Sequence, residues 1–459
     1  MEEVDVAVVG GGPGGTAAAR AAAERGVSAV VLEKGVPRAD RSGLGPDSTD
    51  AAGFLDFWAD IADVDPTTWP DDVIQQELTG AQFVGPRESV TLTSTGIDAD
   101  YPSFGFTFDR AAFDDWHREQ AAAAGVAYRV GTGVKDVETD LTGAPSHTLR
   151  LADGSALEAD ALVLADGPQR QVTMRVLDRY LPEDRAASTV LSPRTTNHIA
   201  YQEYRRLPSE LFDPETIAFW WGWIPGHTAY PWIFPNDDQV ARVGLTMPIG
   251  LSLDDVANPQ DYELVEPDDT TMPSPREFLR RFLERLYGDE YDIETDLPRV
   301  ESLGKDAGTE TYPISSTRPI ESPTALNVAV VGGAMGATSA FHEGGDHVAL
   351  RTGTIAGKLA ADGALDSYNA AWKDAIGHEV RRNVTLAEMV RGYEPADWDR
   401  AFKIGRTMLA AQDGAVPSLR SALTAGLPAV KLYLAYRYRR ARFGTDGYLA
   451  LRESAYQVT

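Results

Sequence analysis

VDVAVVGGGPGG, residues 4–15, decides the fold of this 459-residue chain. Its first half is apolar and β-branched, the pattern of a short strand buried on both faces. Its second half fits G-x-G-x-x-G and runs straight into an Ala-rich helical segment. In that pattern Gly10 allows the tight turn, Gly12 lets backbone N–H groups approach a pyrophosphate, and Gly15 lets helix and strand pack closely. Gly14 completes the cradle, and the helix N-terminus adds partial positive charge beneath the anion. SAVVL, residues 28–32, makes a second strand, and Glu33 stands at its tip, where a carboxylate accepts the ribose hydroxyls of an adenosine. This unit predicts a Rossmann-like α/β fold for a dinucleotide and leaves NAD and FAD undistinguished.

Outward from this unit, helical periodicity over 110–124 ends at Gly125, and short strands follow near 126–138, 146–152 and 160–165. From about 180 to 320 polar and apolar residues alternate between Pro and Gly punctuation, as in an antiparallel sheet. Within that region 250–276 is an acidic loop. Ser274-Pro275 then caps a helix whose Phe278, Leu279, Phe282, Leu283 and Leu286 share one face. LNVAVV, 326–331, returns to a buried strand, a Gly-rich turn and a helix near 344–361 follow, and 366–459 reads as mostly helical. The expected division is 1–180 plus 320–365 for the nucleotide domain, 181–319 for a substrate domain, and 366–459 for a C-terminal helical region.

Composition narrows the setting. There are 69 Asp+Glu against 42 Lys+Arg, a net charge of -27, and only seven of the basic residues are Lys. Such a surface repels itself at low salt, whereas at ~1 M salt the Debye length is about 3 Å and the repulsion largely vanishes. A salt-rich, halophilic cytoplasm is expected, and nucleic acid is excluded as a partner because phosphates would meet a negative surface. There is no Cys, which removes disulfides, thiolate metal sites and thiol nucleophiles, and no metal site is expected. The Met-Glu-Glu start leaves no room for a signal peptide, and no apolar run reaches the ~18 residues of a membrane span. The reading is cytoplasmic, with peripheral membrane contact through the basic, aromatic stretch AVKLYLAYRYRRARF, 429–443. An acidic electron donor, or the acidic surface of its own domain, would pair with the same stretch.

Two later segments favour FAD. Ala165-Asp166-Gly167 follows the strand ALVL, and Val331-Gly332-Gly333-Ala334 through Gly353 forms a second glycine block with no acid-tipped strand after it. Both resemble the flavoprotein hydroxylase and reductase superfamily. The resemblance implies a glutathione-reductase-type FAD domain in which Asp166, Gly333, Gly345 and Asp346 lie at the cofactor. Gly333 replaces the family's Asp, and Gly345-Asp346 stands where Gly-Ile is usual. Arg110, in FDRAAFDDW, is similar to the family Arg near the FAD phosphates, and Val134 matches a position that contacts adenine through its backbone. The turn 41–47, with Gly45 as a further cofactor position, lacks the Cys that relatives often carry.

FWWGWIPGHTAYPWIFP, 219–235, carries two competing tags. Trp221-Gly222-Trp223-Ile224-Pro225 resembles the W-x-W-x-I-P of flavin-dependent halogenases, which also need a lysine between the first glycine block and that motif. No Lys lies between Lys34 and Lys135, and Lys135 falls on the adenine side. Tyr230-Pro231-Trp232-Ile233-Phe234-Pro235, then eight residues and Gly244, is similar to the geranylgeranyl reductase motif Y-x-W-x-F-P followed by G-x-G, with its last Gly lost. The chain is identified as resembling that family over roughly residues 4–360.

The resemblance implies saturation of isoprenoid C=C bonds in archaeal-type lipids or a related prenyl compound, by hydride from reduced FAD. Electrons would come from ferredoxin or reduced nicotinamide. Such a bond has no carbonyl to polarise, so its transition state carries cationic character that aromatic faces stabilise in a dry site. Phe219, Trp220, Trp221, Trp223, Tyr230, Trp232 and Phe234, with Gly244, are the expected substrate wall. His342, in the loop that faces the flavin in relatives, is the candidate proton donor, with water as the other choice. A flavoprotein monooxygenase, an electron-transfer flavoprotein that reduces quinone, and a flavin-free isoprenoid carrier remain as alternatives.

Overall fold

The computed structural model describes residues 2–35, 53–97, 99, 101–191, 197–304, 306–315, 318–410, 426–444 and 446–458. Strand Glu2–Val9 lies at the centre of the first sheet, parallel to Ala29–Leu32 on one side and Ala156–Leu164 on the other. Ala127–Arg129 extends the sheet beyond Ala29–Leu32, and Val328–Val330 pairs in parallel with the end of Ala156–Leu164. Strands Ser146–Leu151 and Val134–Asp140 complete it as an antiparallel edge. Val6, Val8, Val30, Val31, Leu162 and Val163 are fully buried, as a sheet covered on both faces requires.

Helix Pro13–Ala23 packs on this sheet against helix Asp346–Ala361. The two backbones touch. A Cβ on Gly353 would stand 2.0 Å from the Gly14 carbonyl oxygen, and one on Gly357 would stand 1.9 Å from that of Ala18. The small residues of both helices therefore couple the second glycine block to the first.

A second, seven-stranded sheet runs in the order Thr309–Ser315, Asn197–Arg206, Val240–Pro248, Tyr230–Pro235, Thr216–Trp220, Gly80–Val84 and Ser89–Leu92. All neighbours are antiparallel except Gly80–Val84 against Thr216–Trp220. Two of its strands thus come from a region that carried no strand expectation, far outside 181–319. One face packs on helix Pro275–Tyr287, whose Ser274 hydroxyl caps it by accepting from Glu277 N–H. Phe278, Leu279, Phe282 and Leu283 are fully buried there with Trp220, Val243 and Leu245. Burying each such side chain stabilises by roughly 1.5–3 kcal/mol.

The opposite face of this sheet carries Ala200, Tyr230, Trp232 and Tyr312, flanked by Phe219 and Phe234. Helices Tyr368–Val390 and Pro395–Ala410 cover its far side, with Trp398 against Trp221. The chain then returns to the first lobe, where Leu451 bridges Ile320 and the Tyr456 hydroxyl donates to the Glu321 carbonyl.

Candidate functional site: a cleft from the glycine cradle to an aromatic wall

A cavity of about 590 Å³ runs from the first glycine turn, past the second glycine block, to the aromatic face of the second sheet. At its near end Gly10 has φ +104°, and a Cβ there would lie 2.3 Å from the Ala165 carbonyl oxygen. Only glycine holds that turn. Glu33 fixes its shape, with Oε2 accepting from Gly11 N–H and Oε1 from Gly35 N–H, both at 2.6 Å. The Tyr128 hydroxyl donates to the Gly11 carbonyl at 2.7 Å. Gly12 caps helix Pro13–Ala23 with no side chain across its amides and open space beside it, so that end faces the cavity. Gly14 and Val134 also line it; Gly15 sits behind the turn, fully packed against Gly10.

Besides Glu33, three more of the expected cofactor residues have their charges engaged within the protein. The Asp166 carboxylate accepts from Val172 N–H at 2.7 Å and Thr173 N–H at 3.1 Å, and so holds the start of helix Gln171–Asp178. Burial raises its pKa, against the pull of these bonds. Arg110 is buried, its guanidinium paired with Asp114 at 2.8 Å and with Asp346 at 3.0 Å. Asp346 occupies the first turn of helix Asp346–Ala361, where a carboxylate also suits the helix dipole. All three residues still line the cavity.

Beyond them come Gly333 and Gly345. The turn at 332–335 is held from two sides: Gly332 N–H donates to the Thr352 hydroxyl at 3.0 Å, and Arg170 Nε donates to the Ala334 carbonyl at 3.0 Å. Gly45 lies outside the described residues.

At the far end Tyr230, Trp232 and Phe234 line the cavity with Phe219, Ile217, Ile314 and Tyr312. The Tyr230 hydroxyl donates to the His342 carbonyl at 2.7 Å, which ties the wall to the 342–346 loop. His342 stacks on Trp58 with ring centroids 4.8 Å apart. Its Nε2 lies 3.4 Å from Asn383 Nδ2 and 3.8 Å from the Glu379 carboxylate. Burial raises the Glu379 pKa, but the His342 hydrogen bond and Arg382 outweigh it and hold the group down at about 2.

Four expected wall residues are not on the cavity: Trp220 faces the other side of the sheet, edge-on to Phe282 at 4.8 Å, and Trp221, Trp223 and Gly244 also leave it. Gly222, at φ +78° and packed on Trp398, breaks the strand alternation, so the two flanking tryptophans leave the wall. Trp223 turns to the opposite face and packs edge-on to Phe282 at 6.0 Å. Trp221 stands behind the wall, stacked on Tyr230 at 4.4 Å and on Phe341 at 5.3 Å. Gly244 is covered by Trp232, since a Cβ there would be 2.5 Å from the Trp232 ring. It gives the indole room to lie across the sheet. The halogenase-like tag is therefore structural packing in this chain.

Glu343, which shares with His342 the loop that faces the flavin in relatives, lines the cavity with Thr246, Gln202, Tyr312 and Trp58, and the sequence assigns a role to none of the five. Thr246 was within reach: two residues from Gly244 on one strand, it shares that residue's face. Glu343 is 7% exposed, sits at φ +60°, and accepts from the Thr246 hydroxyl and from the Thr228 hydroxyl at 3.3 Å. Burial pushes its pKa up to about 8, against both threonine bonds.

The cleft has the features a flavin dinucleotide needs: an acid-tipped glycine cradle, a second glycine turn, and an apolar chamber between them and the sheet. The indole N–H groups of Trp58 and Trp232 are buried with no hydrogen-bond partner among the described residues, which suits a bound ligand. The family model described as an FAD binding domain matches residues 5–79. The digeranylgeranylglycerophospholipid reductase of Methanothrix thermoacetophila is 28% identical over 395 residues, covering 84% of this chain and 86% of that protein. A geranylgeranyl bacteriochlorophyll reductase-like structure from Thermoplasma acidophilum aligns with TM-score 0.68 and 22% identity, over 95% of this chain and all of that one. A flavin-dependent brominase aligns with TM-score 0.60 and 16% identity, over 96% and 99% of the two chains, a likeness of fold alone. The cofactor is FAD, and the chain is similar to digeranylgeranylglycerophospholipid reductases.

Proposed function

We propose that this protein is an FAD-dependent oxidoreductase that saturates C=C bonds of geranylgeranyl chains in archaeal-type lipids or a related prenyl compound. The observation that carries the reading is that one cavity joins the glycine cradle to the face bearing Phe219, Tyr230, Trp232 and Phe234. FAD, reduced by an external donor, supplies the hydride when bound. The protein's own part is to bind, orient and dry the alkene. Each buried CH₂ of a prenyl tail contributes about 0.8 kcal/mol, so an apolar chamber retains the chain with few hydrogen bonds. Ring faces beside a carbon that gains positive charge stabilise it by roughly 0.5–2 kcal/mol each.

In this reading Gly10, Gly12, Gly14, Gly15 and Glu33 hold the ADP portion in a glutathione-reductase-type unit with Val134. Gly333 and Gly345 approach the ring system. Residues 1–180 with 320–365 form the cofactor domain, 181–319 most of the substrate domain, and 366–459 its cover. His342, with its ring on Trp58 and its nitrogens turned to Asn383 and Gly344, positions the loop. The electron donor is ferredoxin or reduced nicotinamide. Among the described residues no helix is long and apolar enough to cross a membrane. Helix Leu427–Arg442 exposes Leu427 (77%), Leu434 (54%) and Tyr438 (71%) along one stripe beside Lys431, Arg437 and Arg439, which supports contact with an anionic lipid surface. A halophilic cytoplasm completes the proposal.

The test is anaerobic reduction of the FAD-loaded protein in high salt, addition of a geranylgeranyl lipid, and mass spectrometry. A gain of two hydrogens per reduced bond is expected. Oxygenated lipid under air, with no saturation in its absence, would favour a monooxygenase instead.

A further inference from the structure

We infer that the Glu343 carboxyl is the group that protonates the alkene, a catalytic role that neither the motifs nor the relatives' names assign. The inference rests on the prenyl-reductase reading above. Among the carboxyl groups lining the cavity, Glu33, Asp114, Asp115, Asp166 and Asp346 belong with the cradle and its ion pairs, whereas Glu343 lines it from the 342–346 loop, bonded to Thr246 of the wall strand Val240–Pro248. That is the position a proton donor needs if the alkene lies across Tyr230 and Trp232 and faces the ring system.

The local structure holds this one side chain in place. Glu343 has left-handed backbone, an uncommon state for a side-chain-bearing residue that the surrounding contacts must hold. The Tyr230 hydroxyl fixes the peptide before it, and its own N–H donates to the Ser339 carbonyl at 3.1 Å. The groups facing the carboxyl come from three strands. They are His198 at 3.4 Å from strand Asn197–Arg206, Thr228 and Tyr230 at the start of the next wall strand, and Thr246 from Val240–Pro248. No Lys or Arg is among them. Among the described residues His198 is the one group beside it that can take a positive charge, and burying a carboxylate is costly, so the acid form is favoured, consistent with a pKa of about 8. Thr228 also lies 3.1 Å from His198 Nε2, and the His227 ring is 6.3 Å from that of His198, giving a polar path for reprotonation.

In the step, the Glu343 O–H bond breaks and a C–H bond forms at one alkene carbon, while the other takes hydride from reduced FAD. The alkene is reduced by two electrons and the flavin is oxidised by two. The Glu343 carboxylate then regains its proton from solvent, and the external donor restores the flavin.

The experiment uses the full chain, wild type, Glu343→Gln and Glu343→Asp, in high salt. Infrared spectra without substrate come first. A protonated-carboxyl C=O band that titrates near pH 8 in wild type and is missing in Glu343→Gln supports the inference. Identical titrations overturn it. With dithionite-reduced enzyme and geranylgeranyl lipid, Glu343→Gln should keep FAD and lipid binding but lose about 100-fold or more in single-turnover rate. Glu343→Asp should recover part of that loss, and the wild-type rate should fall above pH 8. A Glu343→Gln rate within about threefold of wild type, or an unchanged pH profile, overturns the role. A wild type that shows the infrared titration and binds FAD yet saturates no bond would instead sink the prenyl reading.

Discussion

Replacing Gly353 with alanine tests how packing far from the chemistry sets the cofactor cradle. A Cβ at that position would be 2.0 Å from the Gly14 carbonyl oxygen, and an ordinary contact begins at 3.4 Å, so the helices must part by about 1.4 Å. The obstacle is backbone and cannot rotate away. Overpacking of this kind costs about 1–3 kcal/mol, more than the ~1 kcal/mol that Gly→Ala gains in helix propensity. Gly14 lies in the turn that lines the cavity, so the displacement also reaches the pyrophosphate position. Gly357→Ala meets a similar obstacle, 1.9 Å from the Ala18 carbonyl, but one turn further from the cradle. Both variants should therefore unfold at lower temperature, while Gly353→Ala should also lose more FAD affinity than Gly357→Ala. Calorimetry of the apo proteins and fluorescence titration with FAD measure the two effects. Equal stability of both variants and wild type would refute the close-contact argument.

Other consequences follow from the same geometry. Glu343 has a folded-state pKa near 8 against an ordinary 4.5, so between those values the folded state holds a proton that the unfolded chain releases. Stability should thus be greatest below pH 4.5 for this group and fall as pH rises through 8, by about 1.4 kcal/mol per pH unit. Glu343→Gln should lack that slope in denaturant titrations across the window. Asp346→Ala removes one partner of the buried Arg110 and leaves Asp114 as the other, so it should destabilise by roughly 1.5–3 kcal/mol in chemical unfolding, whereas Asp346→Asn should cost less. Trp232→Ala should leave FAD binding intact and weaken retention of a geranylgeranyl lipid about tenfold, about 1.4 kcal/mol, in equilibrium dialysis. With a net charge of -27, the melting temperature should rise steeply with KCl concentration.

The parts legible in the sequence were those encoded locally. Six glycine-rich residues between a β-branched run and an Ala-rich run have one good solution, and Glu33 stands at the tip of the next strand, its carboxylate accepting from the Gly11 amide of that turn and from the Gly35 amide. Ser274 and the spacing of Phe278, Leu279, Phe282 and Leu283 likewise specify a capped amphipathic helix. The parts that escaped depend on distant partners. Gly80–Val84 becomes a strand by lying parallel to Thr216–Trp220, more than a hundred residues on, and nothing in its own five residues announces that. Trp221 and Trp223 sit in an aromatic run that looks uniform, yet one left-handed glycine between them sends one behind the wall and the other to the opposite face. Glu343 is a plain loop glutamate until Thr228, Thr246 and His198, from separate places in the chain, close around it.

The central claim is that reduced flavin and a prenyl chain share one cavity, and anaerobic single-turnover spectroscopy tests it most directly. Protein reduced to the colourless flavin and mixed with geranylgeranyl lipid should regain the yellow absorbance of oxidised FAD, one cofactor oxidised for each double bond saturated. A flavin that binds tightly, reduces fully and then stays colourless beside saturating lipid would contradict the account.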